Sequence, residues 1–240
     1  IDDILIALNE KRERISVLND YDSYLQKLEQ QLAKKEKELA QISDEVSEIR
    51  QKSAVKLVSE IKSALNDLNF LDVQFDMQFD RLPDYTANGI DAPEFLISTN
   101  PGEPLKRLGK VASGGELSRI MLGIKTIMAE NDHIESLIFD EIDSGISGRT
   151  AQMVSEKMNE LGRNHQIICI THLPQIAAMA DAHFLIEKAV ENKSTVSRIR
   201  RLTDNDSVAE LARMLGGAKI TDTVMESARE MKALAMEKKI

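Results

Sequence analysis

No glycine or proline precedes Pro83, and the first glycine is Gly89. Much of that stretch is Glu, Gln, Lys and Leu, which lose little side-chain freedom in a helix. Within it Leu25, Leu28, Leu32, Leu39, Ile42, Val46 and Ile49 follow alternating steps of three and four, with Lys35 filling one seam position. An apolar seam at heptad spacing over more than three repeats predicts a coiled coil. The seam weakens at Ser53 and Lys56. An earlier series, Ile4, Leu8, Ile15 and Leu18, is out of phase with it across Asn19-Asp20-Tyr21-Asp22-Ser23, so a break or kink is expected there. A globular bundle of helices over residues 1–66 is the other reading of the same pattern. A coiled coil needs a partner strand, and no second heptad run of this length occurs in the sequence. The partner strand is expected from another chain or from sequence beyond this one.

Composition limits the rest. Aromatic residues make up 4% and there is no Trp, which suits a helix-rich protein with an exposed segment better than a compact β-protein. The net charge of −9 argues against nucleic-acid binding over the whole surface, so any DNA contact is local or lies outside the chain. Cys169 stands alone within Ile167-Ile168-Cys169-Ile170, which excludes an intrachain disulfide, suits a reducing compartment and marks a small core residue. No apolar run approaches the roughly 20 residues that span a bilayer, and no basic lead with an apolar h-region opens the chain. The first residue is Ile rather than Met, as expected of a fragment or a processed chain.

The pattern changes near residue 70. Val73, Phe75, Met77 and Phe79 alternate with polar residues and predict a strand ended by Pro83; Asn88-Gly89 predicts a turn and Phe95-Leu96-Ile97 the next strand. Asn100-Pro101-Gly102-Glu103-Pro104 reads as a loop. Helices about 115–130, 148–162 and 174–180 then alternate with strands at 136–139, 166–170, 183–188 and 195–201. That alternation predicts an α/β fold with a mostly parallel sheet and helical cover. Ser207-Val208-Ala209-Glu210 and Thr223-Val224-Met225-Glu226 read as capping boxes opening two closing helices, the first stopped by Gly216-Gly217.

Three constellations carry chemistry. Ser113-Gly114-Gly115-Glu116 runs into a helix with Leu117, Met121, Ile124 and Met128 on one face. Glycines at a helix start expose N–H groups and let an anion approach, and the helix dipole favours phosphate. By itself the pair also reads as a turn. Leu137-Ile138-Phe139 delivers Asp140 and Glu141 at a strand's C-terminal end, where ligands bind in open α/β sheets. One carboxylate there suits Mg²⁺ and the next a water, although an acidic loop start is equally consistent. Ile167-Ile168-Cys169-Ile170 ends in Thr171-His172, and that histidine suits either a phosphate oxygen or an ordinary surface loop.

Taken in order, the three resemble the C-terminal part of an ABC-type ATPase head, the plan that SMC proteins share. Ser113-Gly114-Gly115-Glu116 resembles the signature motif, Phe139-Asp140-Glu141 the Walker B strand with its glutamate, and Asp143-Ser144-Gly145-Ile146-Ser147-Gly148 falls where the D-loop belongs. His172 matches the switch histidine. Finer wording is similar to the bacterial RecN family of SMC-like DNA-repair ATPases. It lies in Thr99-Asn100-Pro101-Gly102-Glu103-Pro104, the run from Phe139 to Arg149, Ile170 to Ala178, and Glu210-Leu211-Ala212-Arg213-Met214-Leu215-Gly216-Gly217. The resemblance is dense from about residue 70 to 217. It divides the chain into an arm over 1–67, a head lobe over 68–217 and a closing helix over 218–240.

That resemblance implies heads that dimerise around ATP and Mg²⁺. Ser113, Gly114, Gly115 and Glu116 would meet the ATP held by a second head, and Asp143, Ser144 and Gly145 would form the D-loop. Asp140 would help hold Mg²⁺, Glu141 would act as general base and His172 would sense the γ-phosphate. It implies work on DNA double-strand breaks in a bacterial cytoplasm, at the nucleoid. Two departures stand out. No Gly-x4-Gly-Lys-Ser/Thr loop occurs, Gly109-Lys110-Val111 lacking both the leading glycine and the hydroxyl. The family carries that Walker A loop in its N-terminal half, which is the implied partner, and the chain alone is expected to be inactive. Ser147 stands where D-loops usually carry Asp. A non-enzymatic coiled-coil interaction module and another SMC-type ATPase are the alternatives. His133, His165 and His183 do not cluster with Cys169 at metal-ligand spacing, and Lys106, Arg107, Lys110 and Arg198, Arg200, Arg201 read as small solvated basic patches.

Overall fold

A computed structural model describes residues 2–70, 72–110, 113–129, 134–191, 194–217 and 219–239. Helix α1 (Asp2–Asp67) is followed by strands β1 (Gln74–Thr86), β2 (Gly89–Ser98) and β3 (Lys106–Arg107) and a 3₁₀ turn at Leu108–Lys110. Then come α2 (Gly114–Met128), β4 (Ser136–Phe139), α3 (Gly148–Leu161), β5 (Gln166–Cys169), α4 (Pro174–Ala178), β6 (Phe184–Glu191), β7 (Ser194–Arg201), α5 (Asp204–Gly216) and α6 (Asp222–Glu237). Contacts divide the chain into two units, residues 1–55 with 79–93, and residues 56–78 with 94–240.

In the first unit the seam residues stay open. Leu32 is 59% exposed, Ile42 58% and Ile49 65%. The expected break at 19–23 is absent: α1 is continuous there, and the Ser23 hydroxyl donates to the Asp20 carbonyl at 2.9 Å. Without Gly or Pro, a phase change in the apolar stripe costs no backbone hydrogen bond, so the helix runs through. The hairpin tip is fastened to the helix by polar contacts. Asp91 accepts from the Ser47 hydroxyl at 2.7 Å and from Arg50 at 3.0 Å, and Arg81 donates to Asp44 at 2.9 Å. The Ser47 hydrogen bond, with the Arg50 guanidinium beside it, holds the Asp91 carboxyl below its usual range against the opposing effect of burial.

The second unit holds the main core. Ile61, Leu65 and Leu68 pack with Ile120 and Leu122 of α2, Phe139 of β4 and Val154 of α3. The head's core therefore reaches back before residue 68 into the last turns of α1. Gly123 makes this possible, since a Cβ there would lie 3.1 Å from Leu65 Cδ2. Phe75 and Phe95 pair with ring centroids 5.2 Å apart. A smaller core joins Ala177 and Ala178 of α4 to Leu211 and Ala212 of α5 and Ala228 of α6.

The class is α/β, with a parallel pairing of β4 and β5 in register from Ser136 opposite Gln166 to Phe139 opposite Cys169. The sheets are less parallel than the alternation predicts. β1, β2 and β3 form one sheet with β2 and β3 antiparallel, and β6 and β7 form an antiparallel pair from Phe184 opposite Arg201. The reason is local, because no helix intervenes between β6 and β7 to return the chain. Pro83 does not end its strand. It lies within β1, an outer strand of its sheet, where a missing N–H is tolerated. The closing helices begin earlier than the capping-box reading places them. Thr203 caps α5 by accepting from Asp206 N, Thr221 caps α6 by accepting from Val224 N, and Ser207 is buried inside the first turns of α5. Among the described residues no helix is long and apolar enough to cross a membrane.

Candidate functional site

The parallel pair aims its C-terminal ends at the start of α2. Leu137 and Phe139 turn inward, and the chain leaves β4 through Asp140 and Glu141. Glu141 adopts φ 57°, a left-handed conformation that a non-glycine residue enters at a cost of about 1–2 kcal/mol. Its N–H donates to Asp140 Oδ1 at 2.9 Å, and its carbonyl accepts from Ser144 N at 3.0 Å, closing a tight turn. Strain of this kind concentrates at functional sites.

That turn is seated on the two glycines. A Cβ on Gly115 would lie 2.8 Å from Ser144 Cβ, 2.9 Å from the Glu141 carbonyl oxygen and 3.0 Å from that of Ser144. A Cβ on Gly114 would lie 2.7 Å from Glu141 Oε2, so the glutamate carboxylate rests against the first turn of α2. Ser113 is the N-cap and its hydroxyl oxygen accepts from Glu116 N at 3.4 Å, leaving the hydroxyl proton free to donate. Glu116 supplies an acid in that first turn, where the helix dipole favours it.

Two contacts deepen the seat. Ser118 Oγ donates to the Asp140 carbonyl at 3.0 Å. Arg119, 7% exposed, donates from Nη1 to the carbonyls of Ile142 at 3.2 Å and Ser144 at 3.0 Å. Its guanidinium lies 5.6 Å from the centroid of the Phe70 ring. Burial pushes its pKa down, against the favourable charge of Glu116. Sequence reading missed Arg119 because it followed Leu117, Met121, Ile124 and Met128. The buried positions of α2 are instead Gly115, Arg119, Ile120, Leu122, Gly123 and Ile124. The available signal was the spacing of four from Gly115 to Arg119 to Gly123, which places a cation between two points of close approach.

Asp143 joins the turn to Thr171 and His172, just past the end of β5. It is 4% exposed, and its Oδ2 accepts from Thr171 Oγ1 at 2.6 Å and from His172 N at 2.8 Å, with His172 Nδ1 at 2.9 Å. Thr171 Oγ1 in turn accepts from Leu173 N at 3.0 Å. Ser113, Gly114, Gly115, Glu116, Asp140, Glu141, Asp143, Ser144 and His172 thus meet at one edge, although the sequence spreads them over 60 positions. Gly145 follows at φ 75°, with nothing within 4 Å of a Cβ built there. Among the described residues no group of three or more His, Cys, Asp or Glu could hold a metal ion. A lone exposed Asp140 carboxylate fits Mg²⁺ that arrives with phosphates, which such ions often prefer to an all-protein cage.

The other candidates fall away. Burial, with Asp143 and then Asp140 nearby, pushes the Cys169 thiol up to about 12, so it stays protonated and serves as core. His165 is buried, and His183 Nδ1 lies 2.9 Å from Ser207 Oγ. His133, with Ala112 ahead of the signature, lies outside the described residues. The basic patches are partly neutralised: Lys106 pairs with Glu103, Arg107 with Glu94, and Arg200 with Glu187 and Asp206.

No family model matches the chain. The curated DNA repair protein RecN of Bacillus subtilis (strain 168) is 41% identical over 246 residues, covering 96% of this chain and 43% of that protein. The chain is similar to RecN proteins over nearly its whole length. RecN of Halalkalibacterium halodurans is 38% identical over 239 residues, covering 98% of the chain and 42% of that protein, and RecN of Mycobacterium bovis is 34% identical over 251. The chain therefore spans about two fifths of the length of the RecN proteins it matches. Among solved structures, the Smc head domain with a coiled coil and joint from Pyrococcus yayanosii aligns at TM-score 0.49 and 21% identity. That alignment covers 68% of this chain and 29% of that one.

Proposed function

We propose that this chain belongs to the RecN family and is the part of an SMC-like ATPase that acts on the γ-phosphate, working in double-strand-break repair and recombination at the bacterial nucleoid. The observation that carries the reading is the meeting of the glycine pair, the acidic strand end and His172 at one edge. Bound ATP with Mg²⁺ supplies the bond to be broken. Ser113 and the N–H groups of Gly114 and Gly115 would bind phosphate oxygens of a nucleotide held by a second head. Asp140 would hold Mg²⁺, Glu141 would take the proton of the attacking water, and His172 would donate to the γ-phosphate. Positioning and charge stabilisation supply most of the rate in such transfers.

The open sheet supports a division of labour with further sequence. Ile138 is 70% exposed, Ile168 46% and Ile170 51%, all on one face of the β4–β5 pair. Parallel strands are normally covered on both faces. An N-terminal half carrying a Walker A loop is the expected cover, and residues 1–55 are the expected arm strand. DNA and a second head are partners of the complete protein.

In the complete protein, Glu141→Gln should bind ATP, accumulate as a dimer on size-exclusion chromatography and lose turnover about 100-fold or more. Wild-type turnover in that variant would overturn the assignment.

A further inference from the structure

This inference rests on the reading of His172 given above and adds a residue to it. The Asp143 side chain is 5% exposed, whereas that of His172 is 72% exposed. One oxygen, Oδ2, serves three donors from two consecutive residues: the Thr171 hydroxyl, the His172 backbone N–H and His172 Nδ1. Among the described residues the imidazole has no other partner. A carboxylate oxygen accepts, so the Nδ1 facing Asp143 Oδ2 is the donor of that contact. That leaves Nε2 as the nitrogen available to a ligand.

The carboxylate is itself held on a fixed seat. Arg119 Nη1 donates to the carbonyls of Ile142 and Ser144, the residues on either side of Asp143. Gly115 admits the same turn against α2, with no room for a Cβ. Groups that orient a functional side chain work best when their own positions are locked in this way. The family resemblance places Asp143 in the D-loop and gives its side chain no partner. We propose instead that its side chain works within its own chain, as the positioning residue for His172. It fixes the ring's orientation and its Nδ1–H, so that Nε2, protonated when the anion binds, donates to the anionic oxygen.

The test is a double-mutant cycle in the complete protein, comparing Asp143→Ala, His172→Ala and the double variant by steady-state ATP hydrolysis. Asp143→Ala should lower kcat to within about threefold of His172→Ala while KM for ATP moves less than about twofold. The double variant should be no slower than His172→Ala, since one lost function is not lost twice. Asp143→Asn, which keeps an oxygen acceptor, should retain an intermediate rate. Multiplying losses in the double variant, or wild-type kcat in Asp143→Ala, would overturn the positioning role while leaving His172 its place. Wild-type kcat in His172→Ala would remove the reading of His172 and this role with it. If Asp143→Ala does not fold, the cycle is read with Asp143→Asn. Wild-type kcat in Asp143→Asn, or losses that multiply with His172→Ala, would then overturn the proposal.

Discussion

At the scale of single residues, the two signature glycines do different work. A Cβ on Gly115 would meet backbone oxygens at 2.9 and 3.0 Å, which cannot swing aside, whereas a Cβ on Gly114 would meet the end of a flexible glutamate. Gly115→Ala should therefore lower stability by about 1–3 kcal/mol, as overpacking does. Gly114→Ala should cost well under that, because Glu141 can rotate away. Thermal melts of both variants check the order, and equal losses would contradict it. The residue types of the site were readable in the sequence: Asp140, Glu141 and the glycine pair announce themselves by position after a strand or before a helix. Arg119 and the intrachain role of Asp143 were not, because each depends on which carbonyl or imidazole the fold brings to it. The one-dimensional pattern holds the spacing of Gly115, Arg119 and Gly123 but not the turn that packs there.

At the scale of elements, α1 changes character along its length. Leu32 lies 59% exposed, while Leu65 is fully buried against Gly123. Leu65→Ala should cost about 2–5 kcal/mol, as deletions in tight cores do. Leu32→Ala should leave the melting temperature of this chain within about a degree, because surface changes fall within ±0.5 kcal/mol. A comparable loss at Leu32 would show that the seam is already occupied. Strand and helix positions from residue 114 to 201 follow the sequence reading closely, since apolar periodicity and chain breakers set them. Three details depend on packing instead. The β6–β7 pairing follows from the missing crossover helix, Pro83 survives on an outer strand, and a continuous helix absorbs the phase change at Asn19–Ser23.

At the scale of the whole molecule, the proposed reading gives the chain groups that act on a γ-phosphate, while its sequence holds no Gly-x4-Gly-Lys-Ser/Thr loop to grip a nucleotide. The chain alone should show no ATP turnover above background in a phosphate-release assay, and appreciable turnover would refute the proposed division of labour. Ile138, Ile168 and Ile170 form an apolar surface that a second segment would cover.

The turn from Glu141 to Ser144 touches α2 through Gly115 and the segment after β5 through Asp143. If a ligand at the first turn of α2 changes the affinity for a ligand at His172 through this turn, the second changes the affinity for the first by the same factor. Binding linkage of this kind is reciprocal by thermodynamic necessity. If the glycine pair meets one nucleotide and His172 another, two ATP sites share a single mechanical element. Their binding constants cannot then be set independently, so the fold itself carries a cooperativity term.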